Sequence, residues 1–194
     1  LGRNKNKKEH KRVFIVGFTG LAGSGKDTAG AVLTSRLGFT RFAFADPVKA
    51  ALSAMFYWPP EQWSDRKWKE SNFPGKDYSP RFLAQTLGTE WGRRTVDNNF
   101  WIDITESRIR SLGAQRVVIT DVRFDNEARW IQRLGGWVIE IARPGAPAVN
   151  NHVSEEGVNP ALIDFTLLNH GPKENFEAQI EREVFMKLPK DFAV

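Results

Sequence analysis

Gly20-Leu21-Ala22-Gly23-Ser24-Gly25-Lys26-Asp27-Thr28 is the stretch that decides the fold. It has the spacing G-x-x-x-x-G-K. Just before it, Arg12 to Phe18 (RVFIVGF) is a short apolar, β-branched run that reads as a buried strand. Just after it, Gly25 to Leu37 reads as a helix, with Ala29, Val32, Leu33 and Leu37 at helical spacing and Gly38 as its stop. Strand, glycine loop and helix in that order make an anion site. The glycines let backbone N–H groups wrap phosphate, and the helix N-terminus adds partial positive charge. Gly23, Ser24, Gly25, Lys26, Asp27 and Thr28 are therefore assigned to the phosphates of a nucleoside triphosphate, with Lys26 bridging the outer two.

Two carboxylates belong with this loop. Asp27 stands where a Ser or Thr hydroxyl usually meets Mg²⁺. It can serve as a hard oxygen ligand, directly or through water, or orient an attacking phosphate as a base, or be an ordinary first-turn aspartate. Arg116 to Asp121 (RVVITD) reads as a strand that ends in a second carboxylate, Asp121, the natural partner for the same ion. Arg123 follows two residues later, near the phosphates by construction, where a guanidinium can stabilise the transferred group. Lys26, Asp27 and Arg123 are thus the catalytic candidates, and Asp27 and Asp121 the metal ligands.

Further out, strands are expected over Thr40 to Ala45, Gly136 to Ala142 and Asp164 to Leu168. Helices are expected from Asp46-Pro47, where an aspartate can cap and a proline fits the first turn, and over about 80–95, 99–112, Asn126 to Leu134 and Glu174 to Lys187. Residues 57–80 break the rhythm with Trp58, Trp63, Trp68, Phe73, Tyr78 and four prolines. They read as an irregular or mobile insertion, a flap, with a helical piece near Glu61 to Glu70. Pro144 to Pro160 is loop-rich. Strands alternating with helices predict an α/β, three-layer fold around a five-stranded parallel sheet, with ligands at the carboxyl ends of the strands. The expected organisation is a basic, disordered tail over 1–11 and one domain over 12–194. Its core is 12–56 and 113–194, and its helical insertion is 57–112.

Composition narrows the chemistry. With 41% hydrophobic and 26% charged residues the chain is ordinary globular material, and with no cysteine it has no disulfide, thiolate metal site or thiol nucleophile. A reducing compartment is compatible, and a cytoplasmic location is expected. No apolar run approaches the ~18 residues of a membrane span, and the short run Val13 to Val16 makes a poor secretory signal. Because the chain starts at Leu1 rather than methionine, a trimmed or added start is expected. The net charge of +5 owes much to Arg3, Lys5, Lys7, Lys8, Lys11 and Arg12, read as a solvated tail rather than a nucleic-acid arm.

Between these landmarks Arg81, Gln85 and Gly88 are spaced by four and three, so in a helix they share one face. That face offers a cation for a phosphate, an amide for a base edge and a gap for a ring. Trp101 is either a stacking platform or a core residue. Arg123 and Glu127, four apart at a helix start, also suit a plain surface ion pair. Arg143, before Pro144-Gly145, is placed over the ATP base or phosphates. His152 has no partner at metal-ligand spacing.

GLAGSGKDT at Gly20 to Thr28, FADPVK at Phe44 to Lys49, RFLAQTLGTEWGR at Arg81 to Arg93, NNFW at Asn98 to Trp101, DVRFDNE at Asp121 to Glu127 and Arg143-Pro144-Gly145 occur in order. Together they resemble the phage-type deoxynucleoside monophosphate kinases over about residues 12 to 187. The resemblance implies a nucleoside-monophosphate-kinase-like P-loop fold, ATP as donor, Mg²⁺, and a deoxynucleoside monophosphate as acceptor. It implies that Arg81, Gln85, Gly88, Thr89, Trp101 and Asp103 line the acceptor site, and that Arg123 and Glu127 face the transferred group. It also implies that Asp27 is the family's own choice at the metal position. The family varies at the Asp46 position, so Asp46 is read as a helix cap. Two alternatives stand beside this. One is a P-loop kinase of another small phosphorylated acceptor, of the dephospho-coenzyme A or phosphomevalonate type. The other is a nucleic-acid-binding P-loop ATPase, against which the chain has no N-K-x-D and no RNA-binding aromatic motif. No stable nucleic-acid or membrane partner is expected. The oligomeric state is open, a homodimer included.

Overall fold

The computed structural model describes residues 12–145 and 152–192. The basic tail at 1–11 and part of the loop before Pro160 lie outside the described residues. Five strands, β1 (Phe14–Thr19), β2 (Thr40–Phe42), β3 (Arg116–Ile119), β4 (Trp137–Ala142) and β5 (Phe165–Leu168), form one all-parallel sheet in the order β2-β3-β1-β4-β5. The α/β fold expected from the alternating pattern is the fold observed.

Side chains alternate across the strands, which sorts the core into two halves. Phe14, Val16 and Phe18 of β1, Val118 of β3, and Ile139 and Ile141 of β4 face the helices α1 (Lys26–Leu37) and α7 (Lys173–Lys187). Ile15, Val117, Ile119 and Val138 face the other way, against α2 (Asp46–Phe56), α5 (Phe100–Leu112) and α6 (Asp125–Arg133). Both faces are buried in the middle of the sheet, so β1 and β3 read as near-continuous apolar runs, while the edge strands β2 and β5 keep exposed residues. Gly38 ends α1 at φ 65, a left-handed turn that costs glycine little.

The second strand is shorter than its apolar pattern predicts, and the reason is local. The N–H groups of Phe44 and Ala45 donate to the Asp121 carboxylate at 2.8 and 2.9 Å, and that of Ala43 donates to Asp46 at 3.1 Å. With those donors taken by carboxylates, no ladder forms beyond Phe42. Asp46 is accordingly not the cap of α2. The cap position is Ala45, and the Asp46 carboxylate instead joins Ala43 to Arg41, 2.8 Å away.

The insertion is held by aromatic packing. After a short 3-10 turn at Pro60–Ser64 come α3 (Arg66–Glu70) and α4 (Pro80–Gln85). Trp58, Trp63 and Trp68 meet edge to face with centroids 5.0–5.9 Å apart, Phe73 stacks on Trp58, and Trp63 Nε1 donates to Ser53 Oγ at 2.9 Å. The single helix expected over 80–95 is two structures. It begins as α4 and widens over Thr86–Val96 into π-type winding, a geometry frequent at functional sites. Among the described residues no helix is long and apolar enough to cross a membrane.

Candidate active site

The phosphate loop leaves β1 at its carboxyl end and enters α1 through Gly25 at φ 112. No other residue fits at two of its positions. A Cβ on Gly20 would lie 2.3 Å from the Ile141 carbonyl oxygen, and one on Gly25 would lie 2.5 Å from the Asn169 amide. Lys26 Nζ donates to the carbonyls of Gly20 and Leu21 at 2.6 and 2.8 Å, which holds the ammonium over the loop. Ser24 Oγ is buried without a hydrogen-bond partner. A buried hydroxyl left unpaired costs about 1–3 kcal/mol, a deficit that a phosphate oxygen would remove.

From this loop a cavity of about 330 Å³ runs toward the insertion. Lys26, Asp27, Asp121 and Arg123 line it together with Arg81, Gln85, Gly88, Thr89 and Trp101. Elements far apart in sequence thus bring these residues to one pocket, at the carboxyl ends of β1 and β3 as the sheet geometry requires. A separate hollow on the far side of the loop is lined by Gly23, Gly25, Thr28, Arg143 and Asn169. There the Arg143 guanidinium reaches the Gly23 carbonyl at 3.4 Å, and Asn169 Nδ2 donates to the Ser24 carbonyl at 2.7 Å.

Gln85 lies one turn beyond Arg81 on α4, and its Nε2 is buried without a partner. Arg81 reaches Glu70 at 3.2 Å, and Arg123 donates to the Ser154 carbonyl at 2.8 Å. Trp101 is both wall and core. It is 5% exposed, its Nε1 donates to the Gly88 carbonyl at 2.6 Å, and a Cβ on Gly92 would lie 2.6–2.7 Å from its ring. Asp103 is not brought in. It is exposed on α5 and stands away from the pocket, because its neighbours Trp101 and Ile102 take the buried face.

Glu127 is fully buried and is no surface partner of Arg123. Its Oε2 accepts the N–H groups of Arg123 and Phe124 at 2.7 and 3.0 Å, and its Oε1 pairs with the Arg93 guanidinium. Burial pushes this carboxyl up to about 7, although Arg93 and the Arg123 N–H pull it down. Arg93 itself escaped the motif reading, because an arginine late in a helix reads as solvated. In the fold it is 8% exposed, stacks on the Phe124 ring at 4.0 Å and bonds the Asn98 carbonyl at 3.1 Å.

For a cation the donor set is small. Among the described residues no group of three or more His, Cys, Asp or Glu could hold a metal ion. Two carboxylates facing one pocket suit Mg²⁺, which keeps waters and takes substrate phosphates rather than a full protein cage.

Comparison with known proteins gives the family of the chain. The family model for deoxynucleotide monophosphate kinase matches residues 74–180, more than half of the chain. A protein of Acanthamoeba polyphaga mimivirus, whose name proposes it as a deoxynucleotide monophosphate kinase, is 36% identical over 184 residues, covering 87% of this chain and 94% of that one. The deoxynucleoside-5'-monophosphate kinase of Escherichia phage T5 is 31% identical over 108 residues, which span 52% of this chain and 43% of the phage protein. Among solved structures, TT1252 from Thermus thermophilus superposes with a TM-score of 0.53 at 20% identity, covering 92% of this chain and 100% of that one, a likeness of fold alone. The matched residues hold the Arg81–Thr89 wall and the Asp121–Glu127 turn, and the chain belongs to the deoxynucleotide monophosphate kinase family.

Proposed function

We propose that the chain transfers the γ-phosphoryl group of Mg·ATP to a deoxynucleoside monophosphate, giving the diphosphate and ADP. The observation that carries this reading is the shared pocket, in which the phosphate loop faces the wall of Arg81, Gln85, Gly88 and Thr89. ATP lies with its phosphates on Gly23 to Thr28, and Arg143 covers the outer side of the loop. The acceptor's phosphate sits by Arg81 and its base by Gln85, whose buried amide donor it satisfies. An acceptor phosphate oxygen forms the new bond to the γ-phosphorus as the bond to the β,γ-bridging oxygen breaks, its electron pair leaving with ADP. The acceptor phosphate has a second pKa near 6, so at neutral pH it is already largely dianionic and no strong base is required. Lys26 and Arg123 offset charge on the transferring group. Asp27 and Asp121 would hold Mg²⁺, which would supply positive charge to offset that of the phosphates.

A coupled ADP-release assay over deoxy- and ribonucleoside monophosphates tests the reading. Turnover confined to dephospho-coenzyme A or phosphomevalonate would replace it with the other small-acceptor reading, and ATP hydrolysis dependent on DNA with the nucleic-acid one. Asp27→Asn is expected to lower turnover at least about tenfold and to shift the Mg²⁺ titration to higher concentration, as loss of a charged ligand should. Unchanged curves make Asp27 a bystander.

The two polar groups of α4 are expected to separate. Arg81→Ala should weaken every accepted monophosphate alike, by ~1.5–3 kcal/mol for a lost charge-assisted hydrogen bond. Gln85→Ala should change the ratio of kcat/KM between bases, because an amide reads one edge pattern better than another. Kinetics with four deoxynucleoside monophosphates decide it. If Arg81→Ala reorders the four and Gln85→Ala scales them equally, the acceptor lies the other way round.

A further inference from the structure

The pocket carries more positive charge than its motifs explain. Lys49 from α2 and Lys69 from α3 line the same pocket as Arg81 from α4, with Arg66 of α3 beside them. The neighbouring cations have carboxylates: Arg41 has Asp46, Arg93 has Glu127, and Arg66 and Arg81 share Glu70. The side chains of Lys49 and Lys69 make no hydrogen bond or close ion pair with any described residue. Both are only partly exposed.

We propose that Lys49 and Lys69 join Arg81 in a three-cation cradle for the acceptor's phosphate dianion, set beside the phosphate loop. This rests on the kinase reading above and names the groups that hold the acceptor.

The position fits the chemistry. Lys69 lies within electrostatic reach of Lys49 and Arg81 on one side and of Asp27 on the other, so the cradle adjoins the loop that holds the donor. Desolvation, followed by the facing charges of Lys49 and Arg81, lowers the Lys69 pKa, while Asp27 and Glu70 raise it. Lys49 and Arg81 still oppose the charge of Lys69 more than Asp27 and Glu70 offset it, and a bound dianion removes that repulsion. A monophosphate carries about −1.5 to −2 at neutral pH, enough to balance two ammonium charges. A lysine ammonium is a compact point charge on a flexible stem, so two of them can follow the acceptor phosphate as it approaches the γ-phosphorus. Because Lys69 sits in the insertion beside Trp68, acceptor binding should also be visible in tryptophan fluorescence.

The test uses Lys49→Gln, Lys69→Gln, the double variant, and Lys67→Gln as a control for loss of charge on the exposed face of α3. Each lysine substitution in the cradle is expected to raise the acceptor KM about tenfold or more while the ATP KM stays within about twofold, and Lys67→Gln should leave both unchanged. Equal effects on the two KM values, or none, overturn the cradle. A second measurement keeps the cradle and the kinase reading apart. With the phosphate loop filled by Mg·ADP, inorganic phosphate is titrated by calorimetry. Saturable binding that disappears in the folded double variant supports the cradle, even if no deoxynucleoside monophosphate is turned over and the kinase reading falls. No binding by the wild-type chain, or equal binding by the double variant, overturns the cradle even if the enzyme phosphorylates deoxynucleotides.

Discussion

Lys26→Ala is expected to abolish measurable phosphoryl transfer while the protein stays folded. The ammonium is held over the loop by two carbonyls of that loop, Gly20 and Leu21, at 2.6 and 2.8 Å. On the proposed reading it is therefore already held beside the outer phosphates of the donor. Removing one preorganised donor from a site of developing charge costs on the order of 10²–10³ in rate, and here a full charge goes with it. Stability should change little. Lys26 is partly exposed, sits in the first turn of α1 and is not one of the core residues. A coupled ADP-release assay and a thermal melt on the same preparation check both halves. Normal turnover by the folded variant would sink the assignment of the phosphate loop, and a collapsed melt would make Lys26 a structural residue.

The loop could be read from sequence because everything it needs is local. A strand, a run of glycines and a helix start are contiguous, and each has a short-range signature. The helical spacing of Arg81 and Gln85 carried over for the same reason, since both sit in the single turn-and-a-half of regular α-helix before the winding widens at Thr86. What could not be read depends on pairings across long sequence distances. The β2 strand stops early because Asp121 takes the N–H groups of residues 77 and 76 positions away, which no periodicity encodes. Arg93 and Glu127 are 34 residues apart, and each alone has the look of a surface residue. Lys49 and Lys69 converge on Arg81 only once α2, α3 and α4 are packed by the tryptophans of the insertion. Asp103 failed in the opposite sense. It lies two residues from a pocket tryptophan, but on a helix two residues is more than half a turn, and it points to solvent.

Arg93→Ala is expected to destabilise the protein by about 3–5 kcal/mol at pH 8, the usual cost of removing one partner from a buried ion pair. The substitution leaves the Glu127 carboxylate buried with only the N–H groups of Arg123 and Phe124 to stabilise its charge. The effect should depend on pH in a direction that follows from the shift already present. Burial lifts Glu127 from 4.5 to about 7 against the pull of Arg93. A carboxyl with a raised folded pKa contributes stability that is complete below its unfolded value and is lost as pH rises through the folded value. Wild-type stability should therefore decline over the window from 4.5 to about 7, and Glu127→Gln should flatten that decline. In Arg93→Ala the largest influence lowering the pKa is gone, so the carboxyl takes a proton at still higher pH. The deficit against wild type should then be smaller at pH 6 than at pH 8. Activity should suffer beyond stability, because Glu127 holds the backbone of Arg123, and Arg123 lines the pocket where the proposed transfer takes place. Arg93 is in this sense a positioning residue, and its loss should lower kcat more than it raises the KM for ATP. Urea denaturation of wild type and both variants at pH 5, 6, 7 and 8, with kinetics at pH 7 and 8, gives the answer. Parallel stability curves for wild type and Arg93→Ala across that range would mean that the pair does not titrate, and that Glu127 stays ionised through its two backbone donors alone.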